Sequence, residues 1–202
     1  MSAPIFEPRP IELVGTCARL APLREIDAPE LAAVASDPSG WDYMSRGPIA
    51  GDDDARAYVA SAWAERGAVL FGIRERAIDR LVGVTRYFDV RAAHRGLEIG
   101  HTWLAPAARR TPINTEAKRL LLAHAFEELG ALRVQLKTDA RNLASQRAIE
   151  RLGAAKEGVL RQHMIARDGF VRDTVMYSII AAEWPAVRAR LDALLAPRAH
   201  ET

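Results

Sequence analysis

Three strand-like runs, residues 68–73, 81–90 and 97–104, follow one another with only short turns between them, such as Arg74-Glu75-Arg76 and Arg95-Gly96. Turns that short hold no crossover helix, so consecutive runs pair antiparallel. The pattern then changes. Over residues 114–129 the apolar positions Ala117, Leu120, Leu121, Ala125, Phe126 and Leu129 recur at helical spacing, and Gly130 stands where a C-terminal cap belongs. Residues 132–138 alternate as Leu132, Val134 and Leu136, a half-buried strand. A strand, a helix and a further strand give a parallel neighbour. An antiparallel run joined to one such crossover makes a mixed sheet.

The remaining segments extend this plan. Residues 16–23 read as a first strand and 25–35 as a short helix, stopped by Asp37-Pro38-Ser39-Gly40. Asp52, Asp53 and Asp54 suit a helix N-terminus, whose unpaired N–H groups carry partial positive charge, and Gly67 closes that helix after Arg66. Asn142 caps a short helix with Leu143, Ala148, Ile149 and Leu152 on one side, ending at Gly153. Strands over 155–165 and 173–182 and an amphipathic helix over 183–195 complete the chain. The expected fold is α/β of the α+β type: a mixed, mostly antiparallel sheet of about seven strands with helices on both faces. A single domain over 1–202 is expected, with an irregular start over 1–10 and a C-terminal helix over 183–196.

Composition narrows the function. The chain is 49% hydrophobic and 27% charged, enough apolar material for a core and outside the disordered class. The net charge is only +2 and no dense Lys/Arg run is interleaved with aromatics, which argues against a nucleic-acid partner. Cys17 is the single cysteine, so no internal disulfide forms. No apolar window is long enough for a signal peptide or a membrane span, so a cytoplasmic protein without membrane contact is expected.

Chemistry concentrates between Leu97 and Gly153. A strand ending at Trp103-Leu104 leads through Ala105-Pro106 into Arg109-Arg110-Thr111-Pro112-Ile113-Asn114 and then into the long helix. A loop that runs into a helix N-terminus offers unpaired N–H groups and a positive dipole end, a site suited to a pyrophosphate, and the arginines add charge. This order of elements resembles the GNAT superfamily of N-acyltransferases over roughly residues 10–185. The loop holds the place of that superfamily's pyrophosphate motif, Arg/Gln-x-x-Gly-x-Gly/Ala, with Arg109 at the leading position and Pro112 and Asn114 in place of the glycines. Asn142-Leu143-Ala144-Ser145 with Arg151-Leu152-Gly153-Ala154 resembles the second acyl-CoA motif of the branch containing ribosomal-protein N-terminal acetyltransferases. Glu157-Gly158-Val159-Leu160-Arg161 and Gly169-Phe170-Val171-Arg172-Asp173 resemble that branch's final hairpin.

The resemblance implies acetyl-CoA as acyl donor, no metal, and direct transfer of the acetyl group to a primary amine in a ternary complex. It implies donor contacts from Trp103, Leu104, Arg109, Thr111, Ile113, Asn114, Thr115 and Asn142. Pro112 has no N–H, so one donor of the phosphate cradle is missing, although proline suits a first helical turn. The tyrosine acid of many members falls at Ile149 here, and Ser145 matches a serine in the resembled branch that can donate to the leaving sulfur. Its alternative role is a backbone bond in the first helical turn. Glu98, His101 and His163 are candidates for the base. An α-amine, with a pKa of about 7.7–8.0, needs less help than a lysine amine near about 10.4. The acceptor is expected to be a peptide N-terminus or a small amine, and a homodimer is possible through Trp184 and its neighbours. A catalytically silent CoA-binding or regulatory protein is the rival.

Overall fold

The computed structural model describes residues 6–196. Eight strands form one sheet: β1 (Leu13–Val14), β2 (Ala18–Pro22), β3 (Val69–Glu75), β4 (Arg80–Arg91), β5 (Gly96–Leu104), β6 (Arg133–Asp139), β7 (Ala155–Ile165) and β8 (Val171–Ile180). Their order is β1-β2-β3-β4-β5-β6-β8-β7. Only β5 and β6 are parallel. Helices α1 (Ala28–Ala35), α2 (Asp52–Ala64), α3 (Ile113–Ala123), α4 (Leu143–Leu152) and α5 (Trp184–Leu195) cover both faces.

Strand alternation sorts the core into two layers. Val69, Phe71 and Ile73 of β3 point towards α3 and α5, where they join Leu97, Ile99, Leu121, Val187 and Leu191. Leu70 points the other way, towards Leu31 of α1 and Val59 of α2, in a layer that also holds Trp41 and Trp103. The strands read with helices on both faces are present, and β1 is an addition. It is two residues long, too short for periodicity to register, and turns back at Gly15, whose N–H donates to the Ala18 carbonyl at 2.8 Å.

The helix expected over 114–129 departs from plan after Ala123. Residues His124–Glu128 form a π-turn, with the Leu129 N–H on the His124 carbonyl at 3.0 Å. The Tyr87 hydroxyl donates at 2.6 Å to the Leu121 carbonyl in the turn before it. A side chain inserted into the helical ladder is a known cause of such widening. Of the irregular start, residues 6–10 lack regular structure, and 1–5 lie outside the described residues, as does the chain after Ala196. Among the described residues no helix is long and apolar enough to cross a membrane, and no group of three or more His, Cys, Asp or Glu is placed to hold a metal.

Candidate active site

β5 and β6 pair through only three residues, Gly96 with Arg133, Leu97 with Val134 and Glu98 with Gln135. Beyond that point β5 continues on β4 to Leu104, while β6 follows β8 to Asp139. The strands part in the middle of the sheet, and a cleft of about 340 Å³ opens between them. Backbone groups on the two facing edges have no strand partner there, so a ligand can pair with them.

A bulge sharpens this wall. Val84 pairs with Trp103 and Arg86 with Gly100, so His101 and Thr102 together face the single residue Thr85. His101 adopts a left-handed conformation with φ of 49°. Such a conformation strains a non-glycine residue and often marks a functional site. The bulge sends His101 and Thr102 in different directions. His101 packs edge-on to Phe88 at 4.9 Å and takes a bond from Arg86 Nη2 at 2.7 Å. A guanidinium only donates, so the ring nitrogen Nε2 accepts. Burial, with the charges of Arg86 and Lys137, pushes the His101 pKa down to about 3. The basic nitrogen is engaged by Arg86, which leaves no free lone pair there for a proton from the acceptor.

Glu98 sits at the vertex where the strands part and is 1% exposed. Its Oε2 accepts from Gln135 Nε2 at 2.9 Å and Lys137 Nζ at 3.0 Å, while Oε1 has no protein partner among the described residues. Burial raises its pKa, and Lys137 and Gln135 oppose the rise. A carboxylate fixed through one oxygen and open to a cleft through the other is arranged as a general base requires.

The opposite wall comes from α3 and α4. The Glu116 N–H makes the first helical bond, to the Pro112 carbonyl at 2.9 Å, which leaves the N–H groups of Asn114 and Thr115 without helix partners. The Asn114 side-chain oxygen is buried at the cleft with no hydrogen-bond donor, as expected where a ligand supplies one. Thr111 accepts from the Ile113 N–H at 3.4 Å and so shapes the helix start. On α4, Asn142 caps the helix by accepting from the Ser145 N–H at 3.0 Å. The Ser145 hydroxyl lines the cleft and has no protein partner among the described residues.

Trp103, Ile113 and Thr115 are expected to offer backbone groups, and their side chains serve the fold. The Trp103 ring belongs to the second core layer, 5.3 Å from Trp41, and the residue borders the cleft from the end of β5. The Ile113 side chain is core, and Thr115 turns away to accept from Arg151 of α4 at 2.9 Å. His163 is on the exposed edge strand β7, in a separate groove with Leu160, Gln162 and Asp173. Arg109 does line the cleft but acts as a strut: Nε donates to the Leu104 carbonyl at 2.9 Å, Nη1 to Ser39 Oγ at 2.9 Å and Nη2 to the Ser39 carbonyl at 2.6 Å. It ties the end of β5 to the loop carrying Tyr43, Met44 and Ser45, and the rest of its N–H groups have no partner among the described residues. Arg109→Ala is expected to cut the rise in melting temperature that CoA produces by at least half. An undiminished rise would show that Arg109 is a strut alone.

Two cleft lysines were not among the expected residues. Lys137 holds Glu98. Lys118 is 6% exposed, and its Nζ donates to Thr102 Oγ1 at 2.5 Å and Thr85 Oγ1 at 3.2 Å, with no carboxylate partner among the described residues. Burial lowers its pKa to about 7. One sequence signal marks Lys118: it lies on the buried stripe of α3, four residues after Asn114 and three before Leu121.

The acetyltransferase (GNAT) domain family matches residues 18–155. No curated protein sequence matches the chain. Among solved structures, a GCN5-related N-acetyltransferase from Brucella melitensis superposes with TM-score 0.89 at 29% identity, over 95% of this chain and 88% of that one. A T. thermophilus protein provisionally assigned as an acetyltransferase superposes with TM-score 0.85 at 40% identity, over 94% and 99%. RimJ of Mycobacterium smegmatis, solved with CoA-disulfide, shares the fold with TM-score 0.79 at 22% identity, over 92% and 95%. The chain belongs to the GNAT acetyltransferase family.

Proposed function

We propose that the protein transfers an acetyl group from acetyl-CoA to a primary amine, on a peptide N-terminus or a small molecule, by direct attack in a ternary complex. The observation that carries this reading is the cleft between β5 and β6, with a buried, half-satisfied Glu98 on one wall and an unpaired helix start on the other. The acyl donor would supply the activated thioester. The N–H groups of Asn114 and Thr115 and the free donors of Arg109 suit its phosphates, and the unpaired edge of β5 near Trp103 and Leu104 suits its amide-bearing arm. Thr111, Ile113 and Asn142 hold the two helix starts in shape.

The protein's own groups manage protons. Glu98 Oε1 takes the proton of the acceptor amine, directly or through one water, and Lys137 and Gln135 keep the carboxylate oriented. The Ser145 hydroxyl is free to give a proton to the leaving thiolate sulfur. A thiol of pKa about 8.5 departs readily, so Ser145→Ala should lower kcat only about threefold to tenfold.

Glu98→Gln supplies the sharper test. With a lysine-like acceptor we expect kcat/KM to fall about 100-fold, together with loss of the acidic limb of the pH–rate profile. With an α-amine, already partly neutral near pH 7.5, the fall should be less than about tenfold. Superimposable profiles for the two enzymes with the lysine-like acceptor would remove Glu98 from the reaction.

A further inference from the structure

Two cations near the hairpin end of the cleft have a carboxylate partner, and a third has none within ion-pair distance among the described residues. Lys137 is matched by Glu98 at 3.0 Å. Arg141 is matched by Asp139 at 2.8 Å, and the Asp139 carboxylate takes three bonds from Arg141: from its backbone N–H, Nε and Nη2. Arg172 is the remaining cation. It lines the cleft from β8, opposite Met164 of β7. Its Nε and Nη2 both donate to the hydroxyl of Thr174, at 3.3 and 3.2 Å, and no carboxylate of the described residues lies within ion-pair distance. Its charge reaches Asp139 only through space.

The edge of a guanidinium formed by Nε and Nη2 is the one that grips a carboxylate through two parallel bonds. Here both donors share one neutral oxygen at long distance, a poor replacement for the water a half-buried guanidinium gives up. The walls around it also restrict what reaches it. Arg141 lies 3.6 Å over the ring of Phe170 in the hairpin and 5.5 Å from that of Tyr43 in the loop between α1 and α2. These contacts bridge the two segments beside the cleft. A simple primary amine is cationic at neutral pH and is repelled by an unmatched guanidinium. An acceptor with its own carboxylate a few bonds from the amine converts that repulsion into attraction.

We propose that Arg172 binds a carboxylate carried by the acceptor beside its amine, which makes free amino acids the favoured acceptors. The proposal rests on the acetyl-transfer reading above, and places the acceptor's carboxylate on Arg172 in the same cleft that Glu98 lines. An acidic side chain next to a peptide N-terminus presents the same chemistry, and the experiment separates the two sources.

Binding to the CoA-bound protein is measured by calorimetry for an L-amino acid, its α-amide, the corresponding decarboxylated amine, and tripeptides with Asp or Ala at the second position. Turnover with acetyl-CoA is measured separately. The amino acid should bind about tenfold to 100-fold more tightly than its amide or decarboxylated form. Arg172→Met should bring that ratio close to one, and Arg172→Lys should keep a small part of it. The CoA-induced rise in melting temperature serves as the folding control for both variants. A preference seen only with the Asp tripeptide would keep the Arg172 site and overturn the free amino acid as acceptor. Equal binding of acid and amide, or a preference that survives in Arg172→Met, would overturn the proposal. Absence of turnover with every acceptor would sink the acetyl-transfer reading, while the binding ratios would still decide the role of Arg172.

Discussion

Lys118→Met is expected to stabilise the protein by about 2–4 kcal/mol at pH 6 and to change it little at pH 9. The lysine is buried between α3 and the sheet at the cleft, with two threonine hydroxyls and no counter-charge among the described residues. Its pKa in the fold is about 7, against about 10.4 in the unfolded chain. A depression of that size corresponds to about 5 kcal/mol as an upper bound on the cost of keeping the ammonium buried at low pH. The sign follows from linkage. Between about pH 7 and 10.4 the unfolded chain binds a proton that the folded protein does not, so wild-type stability rises with pH over that window and levels off below it. Over the two pH steps from 7 to 9 this one group contributes about 2.7 kcal/mol. Methionine has similar length and no charge, so the variant lacks that slope. Denaturant unfolding of both proteins at pH 6 and pH 9 measures the difference directly. An identical difference in stability at the two pH values would mean that Lys118 stays protonated, or reaches water, across the range.

The second large effect concerns the support of the helix start. The Glu116 carboxylate accepts three backbone N–H bonds from the turn between β1 and β2, from Thr16 at 2.7 Å, Cys17 at 2.7 Å and Ala18 at 2.6 Å. Gly15 leaves room for it, since a side chain there would collide with the carboxylate. Glu116→Ala strands three donors, one of them fully buried, and should cost about 3–5 kcal/mol. Glu116→Gln keeps one accepting oxygen and should fall in between. Burial raises the Glu116 pKa, but the N–H bonds outweigh it and hold the carboxyl below the usual range. Its stabilisation is therefore complete above the unfolded value of about 4.3 and is lost as pH falls through the lower folded value. Equal acid sensitivity of wild type and Glu116→Gln would contradict this. The same turn anchors the first turn of α3, so CoA affinity should drop in Glu116→Ala along with stability.

Most of the fold could be read from the sequence because both periods are strong in it. Strands such as 68–73 and 132–138 and the apolar stripe of α3 declare themselves within a few residues. What escaped has no local signature. A two-residue strand carries no period, and the π-turn depends on a hydroxyl from β4, distant in the chain. The site divides in the same way. Glu98, Arg109, Asn114, Asn142 and Ser145 line one cleft because Glu98 stands where β5 and β6 part and the others lie near element ends that face the split. His163 does not, because alternation along β7 sends its side chain into a separate groove while its neighbour Met164 lines the cleft. Thr115 carries the right backbone N–H, while the helical turn aims its side chain at α4. The bulge at His101 and Thr102, which decides where those side chains go, depends on register with β4, and one strand does not reveal it.

The central claim is that the cleft moves an acetyl group from CoA to an amine. Its most direct test is amine-dependent release of free CoA from acetyl-CoA, followed together with the mass of the acceptor over a panel of α-amines, lysine-like amines and amino acids. Acetyl transfer predicts that CoA appears in step with an acceptor heavier by one acetyl group in place of one hydrogen, and that Glu98→Gln slows both together. CoA that stabilises the protein while no amine releases it would contradict the claim and leave a CoA-binding protein without turnover.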